Sequence, residues 1–160
     1  MKNKEKIYSI SAILLMIDQV IKLFVKRMEL FEEIVVIPNF FSIYYIENDG
    51  AAFSILGGET VILIIVSLVA LFILDRFITK ENINTRFGIL SYGMIFAGII
   101  GNLIDRCLYG SVIDYLSFNI FGYSAPVFNL ADICIVVGAV ILVIDTIIRD
   151  IKIKKEVVKW

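Results

Sequence analysis

The residues of this chain that could do chemistry together are two aspartates, Asp114 and Asp132, eighteen positions apart. Two carboxyl groups that lie close together cannot both ionise easily, so they share a proton and titrate as a pair. The ionised carboxylate can take a proton from a water molecule, while the protonated one polarises a carbonyl group. If the fold brings the two side chains together, the pair is suited to hydrolysis at a carbonyl carbon.

The other reactive residue types exclude most further site classes. The chain has no histidine, which excludes Ser-His-Asp and Cys-His triads and most imidazole metal sites. Its two cysteines, Cys107 and Cys134, fit no metal-binding or redox spacing. The basic residues form no patch that would bind nucleic acid. We therefore expect no cofactor, no metal ion and no nucleic-acid partner.

Amide and basic residues near the two aspartates are candidates to orient them. Asn102 and Arg106 lie in "GNLIDR", and Asn129 lies three residues before Asp132. We expect these three side chains to orient the aspartate pair or the main chain of a substrate. Two simpler roles stay open: Arg106 could anchor at a membrane interface, and Asn129 could cap a helix whose dipole favours Asp132.

The elements that must position these residues are predicted to be membrane helices. The composition is 59% hydrophobic and the mean hydropathy is +0.90, far above a soluble domain. A helix needs roughly 20 apolar residues to cross the hydrocarbon layer, and four stretches qualify, at about 7–25, 60–78, 87–105 and 129–148. The sequence predicts one integral membrane domain over residues 1–160, an all-α polytopic membrane protein.

Lysine and arginine set the predicted orientation, because they concentrate in cytoplasmic segments. They are frequent before the first span, between the second and third spans, and after the fourth. Residues 28–59 contain none, and the third connection contains only Arg106. Both termini are therefore expected in the cytoplasm, with the two longer connections outside.

The two outer connections are rich in β-branched and aromatic residues, over about 34–56 and 110–128. Such residues favour strands, and aromatic rings favour the membrane interface. We expect a small extracytoplasmic β platform resting on the bilayer; a plain apolar loop is the alternative.

With this orientation, the polar residues of the spans fall at one level, the outer rim of the membrane. The apolar stretch 133–144 is only about 18 Å long as a helix, so Asp132 must lie at the edge of the hydrocarbon. Asp18 and Lys22, four residues apart on one helix face, lie in the outer half of the first span. They form either a structural ion pair or a scaffold for the site.

Five motifs in their order along the chain resemble signal peptidase II, the lipoprotein signal peptidase family of bacteria. They are "DQVIK" (18–22), "NDGAAF" (48–53), "GNLIDR" (101–106), "GSVIDY" (110–115) and "FNLAD" (128–132). The resemblance implies a four-span aspartic endopeptidase that cuts prolipoproteins before a cysteine bearing diacylglycerol. It implies that the catalytic pair is Asp114 and Asp132, and that the supporting residues are Asp18, Lys22, Asn48, Gly50, Asn102, Arg106 and Asn129.

The resemblance also implies partners and a location. Diacylglyceryl-prolipoproteins would be the substrates, membrane lipids would surround the spans, and the site would face outward from the bacterial cytoplasmic membrane. A monomer would suffice because both aspartates are in one chain. The family more often has Thr at the position of Asp49 and Phe at that of Tyr115, for which we expect altered loop charge or packing.

Two other classes of function remain as alternatives. A small proton- or cation-coupled transporter could use Asp18 and Asp132 as relay groups, but it would need polar residues at several depths. A non-enzymatic membrane subunit could use the charged residues only to bind helices together.

Overall fold

A computed structural model of the protein describes residues 2–50, 57–80 and 83–157. In these residues the chain forms four long helices, α1 (Lys2–Val25), α2 (Thr60–Lys80), α3 (Arg86–Tyr109) and α4 (Leu130–Val157). Each helix has an apolar stretch long enough to cross a membrane, because 20 residues extend about 30 Å. The prediction of a mostly helical, multi-pass membrane protein is confirmed.

Helix α3 is the central helix and contacts the other three. Within its most apolar stretch 44% of the residues are buried, against 11% for α2. Glycines allow this close packing: a Cβ atom at Gly93 would lie 2.8 Å from Ile10 Cγ2 of α1, and one at Gly101 would lie 2.6 Å from Asp18 Oδ2. Small residues commonly allow such close approach of helices in membranes.

Caps at both ends fix the length of α3 and the exit of the chain toward the site. The Thr85 side chain accepts a hydrogen bond from Gly88 N (3.0 Å) at the first turn. At the other end Gly110 adopts a left-handed conformation (φ 78°) and its N–H donates to Arg106 O. Glycine adopts this conformation without steric cost, and here it turns the chain from α3 directly into a strand.

The predicted β platform is present as a four-stranded antiparallel sheet. Its strands are β1 (Glu33–Ile37), β2 (Phe41–Asn48), β3 (Val112–Ile120) and β4 (Tyr123–Ser124), in the spatial order β1-β2-β3-β4. The sheet excludes the alternative of a plain apolar loop. Residues 51–56, the last part of the first predicted outer segment, lie outside the described residues.

The register between β2 and β3 decides which side chains share a face. Asp114 lies opposite Ile46, and Val112 lies opposite Asn48, so the Asn48 and Asp114 side chains leave the sheet on the same side. On the other side, Tyr45 and Ile113 pack with Tyr115 and with Val25 of α1. This second cluster attaches the sheet to the helices and holds Asp114 over the ends of α3 and α4.

Candidate active site

Helix α4 begins with a reciprocal pair of hydrogen bonds between Asn129 and Asp132. Asp132 N donates to Asn129 Oδ1 (3.0 Å), and Asn129 N donates to Asp132 Oδ2 (3.2 Å). This is the arrangement of a capping box, in which an acidic side chain takes the third helical position. The simpler expectation for Asn129, a helix cap, is therefore correct, although it does not describe all that this side chain does.

The same Asn129 side chain connects the capping box to the second aspartate. Its Nδ2 atom donates to Asp114 Oδ1 (2.7 Å) and to Asn102 Oδ1 (3.1 Å). Asn102 Nδ2 in turn donates to Asp132 Oδ1 (2.7 Å). Asp114 and Asp132 thus lie in one network and are joined by two amide side chains.

Asp114 is almost completely buried, with 1% of its surface exposed. Its Oδ2 atom accepts a hydrogen bond from Asn48 Nδ2 (3.0 Å). Burial and, after it, the charge of Asp132 raise the pKa of Asp114 to about 7, against the opposing effects of the Asn48 and Asn129 hydrogen bonds and of the Lys22 charge. Near neutral pH a proton can therefore be held on this carboxyl group, as a pair of acid and base requires.

The remaining amide groups at the start of α4 are satisfied by two other elements. Ala131 N donates to Asp18 Oδ1 of α1 (3.0 Å), and Leu130 N donates to the Tyr115 hydroxyl group of β3 (3.3 Å). The first four N–H groups of a helix have no partner within it. Here they fix the start of α4 against α1 and β3, and Tyr115 gains a contact that phenylalanine could not make.

Lys22 lies in a buried ionic cluster behind these residues. Its Nζ atom is 3.0 Å from Asp18 Oδ2, 2.7 Å from Asp105 Oδ2 and 3.1 Å from Asn102 Oδ1. Lys22 has 1% of its surface exposed. Asp18 and Lys22 thus form a buried ion pair, and Lys22 contacts the same Asn102 that donates to Asp132.

Two members of this cluster, Asp105 and Gln19, were not among the predicted site residues. Asp105 Oδ2 also accepts a hydrogen bond from Ile113 N (3.2 Å), which ties α3 to the strand that carries Asp114. Gln19 Nε2 donates to Asp105 Oδ1 and to Asp18 Oδ2, both at 3.2 Å. Asp105 lies three residues after Asn102, a helical spacing that could have indicated a shared site.

Arg106 extends from the end of α3 to the connection between α1 and α2. One guanidinium nitrogen donates to Gly50 O (2.9 Å), and Gly50 N donates to Asn48 Oδ1 (3.0 Å). The Nε atom of Arg106 is buried and has no hydrogen-bond partner among the described residues. Residues 51–53 of the "NDGAAF" motif lie outside the described residues.

The predicted site residues are thus brought together as one group next to the sheet, where α3 ends and α4 begins. They are Asp18, Lys22, Asn48, Gly50, Asn102, Arg106, Asp114, Asn129 and Asp132. Among the described residues, no three histidine, cysteine or acidic side chains are grouped as metal ligands. The carboxylates are instead neighbours of amide groups and of one ammonium group.

Residues 10–148 match the family described as Signal peptidase (SPase) II. The chain belongs to the signal peptidase II family. The resemblance predicted from five short motifs is therefore confirmed, and the protein is a peptidase that crosses the membrane several times. Membership of a peptidase family contradicts a non-enzymatic subunit and gives no support to the transporter.

Relatives within the signal peptidase II family match over nearly the whole chain. The lipoprotein signal peptidases of Staphylococcus aureus strains JH9 and Newman are each 37% identical over 148 residues, which is 92% of this chain and 90% of theirs. Two solved structures of a bacterial membrane enzyme, obtained by the in meso method, are also similar. One has a TM-score of 0.81 at 34% identity, covering 86% of this chain and 85% of the other. The second has a TM-score of 0.77 at 35% identity, covering 86% and 89%.

Proposed function

We propose that this signal peptidase II is an aspartic endopeptidase that removes the signal peptide from diacylglyceryl-modified prolipoproteins, cutting before the lipidated cysteine. The observation that carries the proposal is the amide link between the two aspartates. Asn129 Nδ2 donates to Asp114 and also to the oxygen of Asn102, and Asn102 Nδ2 donates to Asp132. Two carboxyl groups held in one amide network, one of them with a pKa of about 7, supply an acid and a base at neutral pH.

The reaction needs one proton on the pair of aspartates. The ionised carboxylate removes a proton from water as the water oxygen attacks the peptide carbonyl carbon. The protonated carboxyl group donates to the carbonyl oxygen and stabilises the charge that develops there. When the tetrahedral intermediate collapses, the carbon–nitrogen bond breaks and a proton passes to the leaving amine.

Arg106 is suited to hold the main chain of the substrate beside the pair. Its hydrogen bond to Gly50 O (2.9 Å) fixes the guanidinium group, and its buried Nε atom has no acceptor among the described residues. A buried donor without an acceptor is costly. A carbonyl oxygen of the bound substrate would supply the acceptor.

The height of the site fits a substrate held by lipid chains. The pair lies where α3 ends, α4 begins and the sheet is attached, and β1 exposes apolar side chains at all but one of its five positions. A diacylglyceryl-cysteine is held in the outer leaflet by its acyl chains, so its scissile bond lies near the interface. The site then faces outward from the cytoplasmic membrane with both termini in the cytoplasm, and one chain supplies both aspartates.

Cleavage of a synthetic diacylglyceryl prolipoprotein peptide by the purified protein tests the proposal. Asp114→Asn and Asp132→Asn should each abolish cleavage while the thermal unfolding in detergent stays cooperative. Asp150→Asn, an exposed carboxylate on the same helix as Asp132, is the matched control and should cut at the wild-type rate. Full activity of either active-site variant would contradict the aspartic mechanism.

The same peptide without its lipid tests the substrate class. The unmodified peptide should be cut far more slowly, because it lacks the acyl chains that hold its scissile bond at the level of the aspartates. Equal rates for the two peptides would show that the lipid is not recognised, whatever the fate of the aspartate variants.

A further inference from the structure

The ammonium group of Lys22 is a buried cation that the proposed reaction does not use directly. Its polar partners in the described part of the chain are Asp18 Oδ2, Asp105 Oδ2 and Asn102 Oδ1. Of these three, only Asn102, at 3.1 Å, contacts a carboxyl group of the pair, because its Nδ2 atom donates to Asp132 Oδ1 at 2.7 Å; Asp18 and Asp105 accept instead from the backbone N–H groups of Ala131 and Ile113.

Lys22 determines which way the Asn102 amide can point. An amide group has one acceptor oxygen and one donor nitrogen, whereas an ammonium group has donors only. The Asn102 oxygen must therefore face Lys22, and a reversed amide would place two donors against each other. Asn129 Nδ2, also a donor, approaches the same oxygen at 3.1 Å. With its oxygen fixed in this way, Asn102 can offer only its nitrogen to Asp132.

The two aspartates differ in their surroundings. Asp132 is partly exposed and lies in the first turn of α4, where the positive end of the helix dipole favours a negative charge. Asn102 Nδ2 donates to one of its oxygens and Asn129 N to the other. Asp114 has 1% of its surface exposed and no helix terminus of its own. Burial disfavours the charged form, so these surroundings favour the proton on Asp114.

We propose that Lys22 is a positioning residue that acts through Asn102 to keep Asp132 as the ionised carboxylate that accepts the proton of the attacking water. The inference rests on the proposed function and adds a division of labour to it. As the water oxygen bonds to the carbonyl carbon, its proton passes to Asp132 and the Asp114 proton passes to the carbonyl oxygen. On collapse, the hydroxyl proton returns to Asp114, the carbon–nitrogen bond breaks, and Asp132 protonates the leaving amine.

Charged and titratable groups surround Asp132 on three elements. Arg106 on α3 and Asp114 and Tyr115 on β3 interact with its charge. Asp105 on α3 and Lys22 and Asp18 on α1 form the ionic cluster behind Asn102. Any change of pH dependence must be separated from a general change in this field. A double-mutant cycle makes that separation. The electrostatic field of Lys22 acts on Asp132 with or without Asn102, whereas the proposed relay, in which Lys22 orients Asn102 and Asn102 donates to Asp132, requires Asn102.

The test is the pH dependence of kcat and KM for cleavage of the synthetic diacylglyceryl peptide. Lys22→Met alone leaves two buried carboxylates without their cation, so the charge-balanced variant Lys22→Met/Asp105→Asn is used beside it. The cluster has a net formal charge of -1 with Asp18, Lys22 and Asp105 ionised, and the double variant keeps -1 through Asp18. We expect the kcat of the double variant to fall about tenfold with little change in KM. We also expect the acid limb, the low-pH side of the profile where kcat falls as Asp132 takes up a proton, to move up by about one pH unit.

Three matched variants complete the experiment. Asp105→Asn keeps the Lys22 contact with Asn102 and should not move the acid limb upward. Lys26→Met removes the lysine directly after the end of α1, which contacts Tyr109 and Glu47 outside the pair, and should leave the low-pH side of the activity profile as in wild type. Asn102→Leu alone should move the acid limb of the kcat profile to higher pH. In that background, the further substitution of Lys22 should cause no additional shift.

The outcomes separate the two proposals. If the wild-type protein does not cut the peptide, the proposed function fails and the relay fails with it. If the wild-type protein cuts it but the charge-balanced variant, folded by its thermal transition, keeps the wild-type acid limb, only the relay is wrong. A shift of the same size with and without Asn102 would assign the effect to the field of Lys22 and would also overturn the relay. A shift that requires Asn102 supports it.

Discussion

At the scale of single residues, Asn129 serves both the fold and the proposed chemistry. Its Oδ1 atom caps α4 by accepting from Asp132 N, while its Nδ2 atom donates to Asp114 and Asn102. A helix cap alone needs only an oxygen, which serine also provides. The Nδ2 donor of Asn129 therefore explains why an amide stands at this position, because it links Asp114 to Asn102, which donates to Asp132.

Replacing Asn129 by serine or alanine should separate these two roles. Serine keeps a cap for α4, so Asn129→Ser should be about 1 kcal/mol more stable than Asn129→Ala. Both variants lose the donor to Asp114, so both should cut the lipidated peptide at least about 100-fold more slowly. Thermal unfolding in detergent and single-turnover cleavage measure the two effects. Near-normal cleavage by Asn129→Ser would mean that the amide bridge is not needed.

The raised pKa of Asp114 predicts the alkaline limit of activity. Its folded pKa of about 7 exceeds the ordinary value of 3.8, so the carboxyl group loses its proton as the pH rises through about 7. Activity should then fall, because the pair no longer has an acid. The measurement is kcat between pH 5 and 9 in a constant-ionic-strength buffer, with Asp150→Asn as the control. A kcat that keeps rising to pH 9 would contradict a role for protonated Asp114.

The same pKa shift has a consequence for stability with a defined sign. Since folding raises the pKa of Asp114, the folded state binds more protons than the unfolded state between pH 4 and 7. This group therefore stabilises the fold most below about pH 4, and its contribution is lost as the pH rises to about 7. The melting temperature of the wild-type protein should therefore fall between pH 4 and 7 by an amount that includes the contribution of Asp114. An Asp114→Asn variant, compared by differential scanning fluorimetry, should lack this part of the decline.

Much of the residue-level site could be predicted from the sequence because its members fall in short motifs at one membrane depth. Asp105 and Gln19 could not, since their importance depends on burial and on bonds to Ile113 N and Asp18. Which partner each amide chooses is likewise a tertiary property. The orientation of Asn102 follows only once Lys22 is known to lie 3.1 Å from its oxygen.

At the scale of the elements, the approach of α3 to α4 sets the position of Asp132. At Gly98 a Cβ atom would lie 2.6 Å from Ile135 Cγ1 and 3.2 Å from Ile135 N, and it would also collide with Ala131 O. These atoms belong to the first two turns of α4, so they cannot move without moving Asp132. Only glycine at this position permits the observed distance between the two helices.

Gly98→Ala should therefore reduce both stability and activity. Overpacking of this kind costs about 1–3 kcal/mol, and the displacement of α4 should lower kcat at least about tenfold because small misplacements disrupt catalysis. Gly110→Ala is the control: its Cβ atom meets nothing within 4 Å, and the left-handed conformation costs about 1–2 kcal/mol. Gly98→Ala should lose more kcat than Gly110→Ala for the same loss of stability. If the two variants lose kcat in equal proportion to stability, displacement of α4 is not the cause of the lower activity.

The helices could be predicted from hydropathy, whereas the sheet could be predicted only as a tendency. Long apolar stretches define membrane helices because every backbone group must be satisfied within them. The register of β2 on β3 depends on tertiary contacts, including the packing of Tyr45 and Ile113 on Val25. A shift of one residue would turn Asp114 to the opposite face, and local sequence does not exclude that shift.

At the scale of the whole molecule, the ionisable groups divide between two ends. The site occupies the end where α1 finishes and α4 begins, while Asp75 and Asp145 lie toward the other end. There Tyr8 donates to Asp75 (2.6 Å) and Thr85 donates to Asp145 (2.8 Å). Both carboxylates are thus held by local partners. This separation fits catalysis at one surface better than a path across the membrane.

The distribution of charge also predicts which end lies in the cytoplasm. Asn3 Nδ2 donates to Asn84 Oδ1 (3.1 Å), so the N-terminus and the second connection lie at the same end. Lysine and arginine concentrate at this end, whereas residues 28–59 contain none. The positive-inside rule assigns the first end to the cytoplasm, which leaves Glu29 and the sheet outside.

Labelling of single cysteines in intact cells tests this orientation. Cys107 and Cys134 are first replaced by serine and alanine, and Glu29→Cys or Asn84→Cys is then added at an exposed position. A thiol reagent that cannot cross the membrane should label position 29 in intact cells and position 84 only after permeabilisation. The cysteine-free protein and its cleavage activity serve as controls. The reverse pattern would place the aspartate pair on the cytoplasmic side, where a substrate anchored in the outer leaflet could not present its scissile bond.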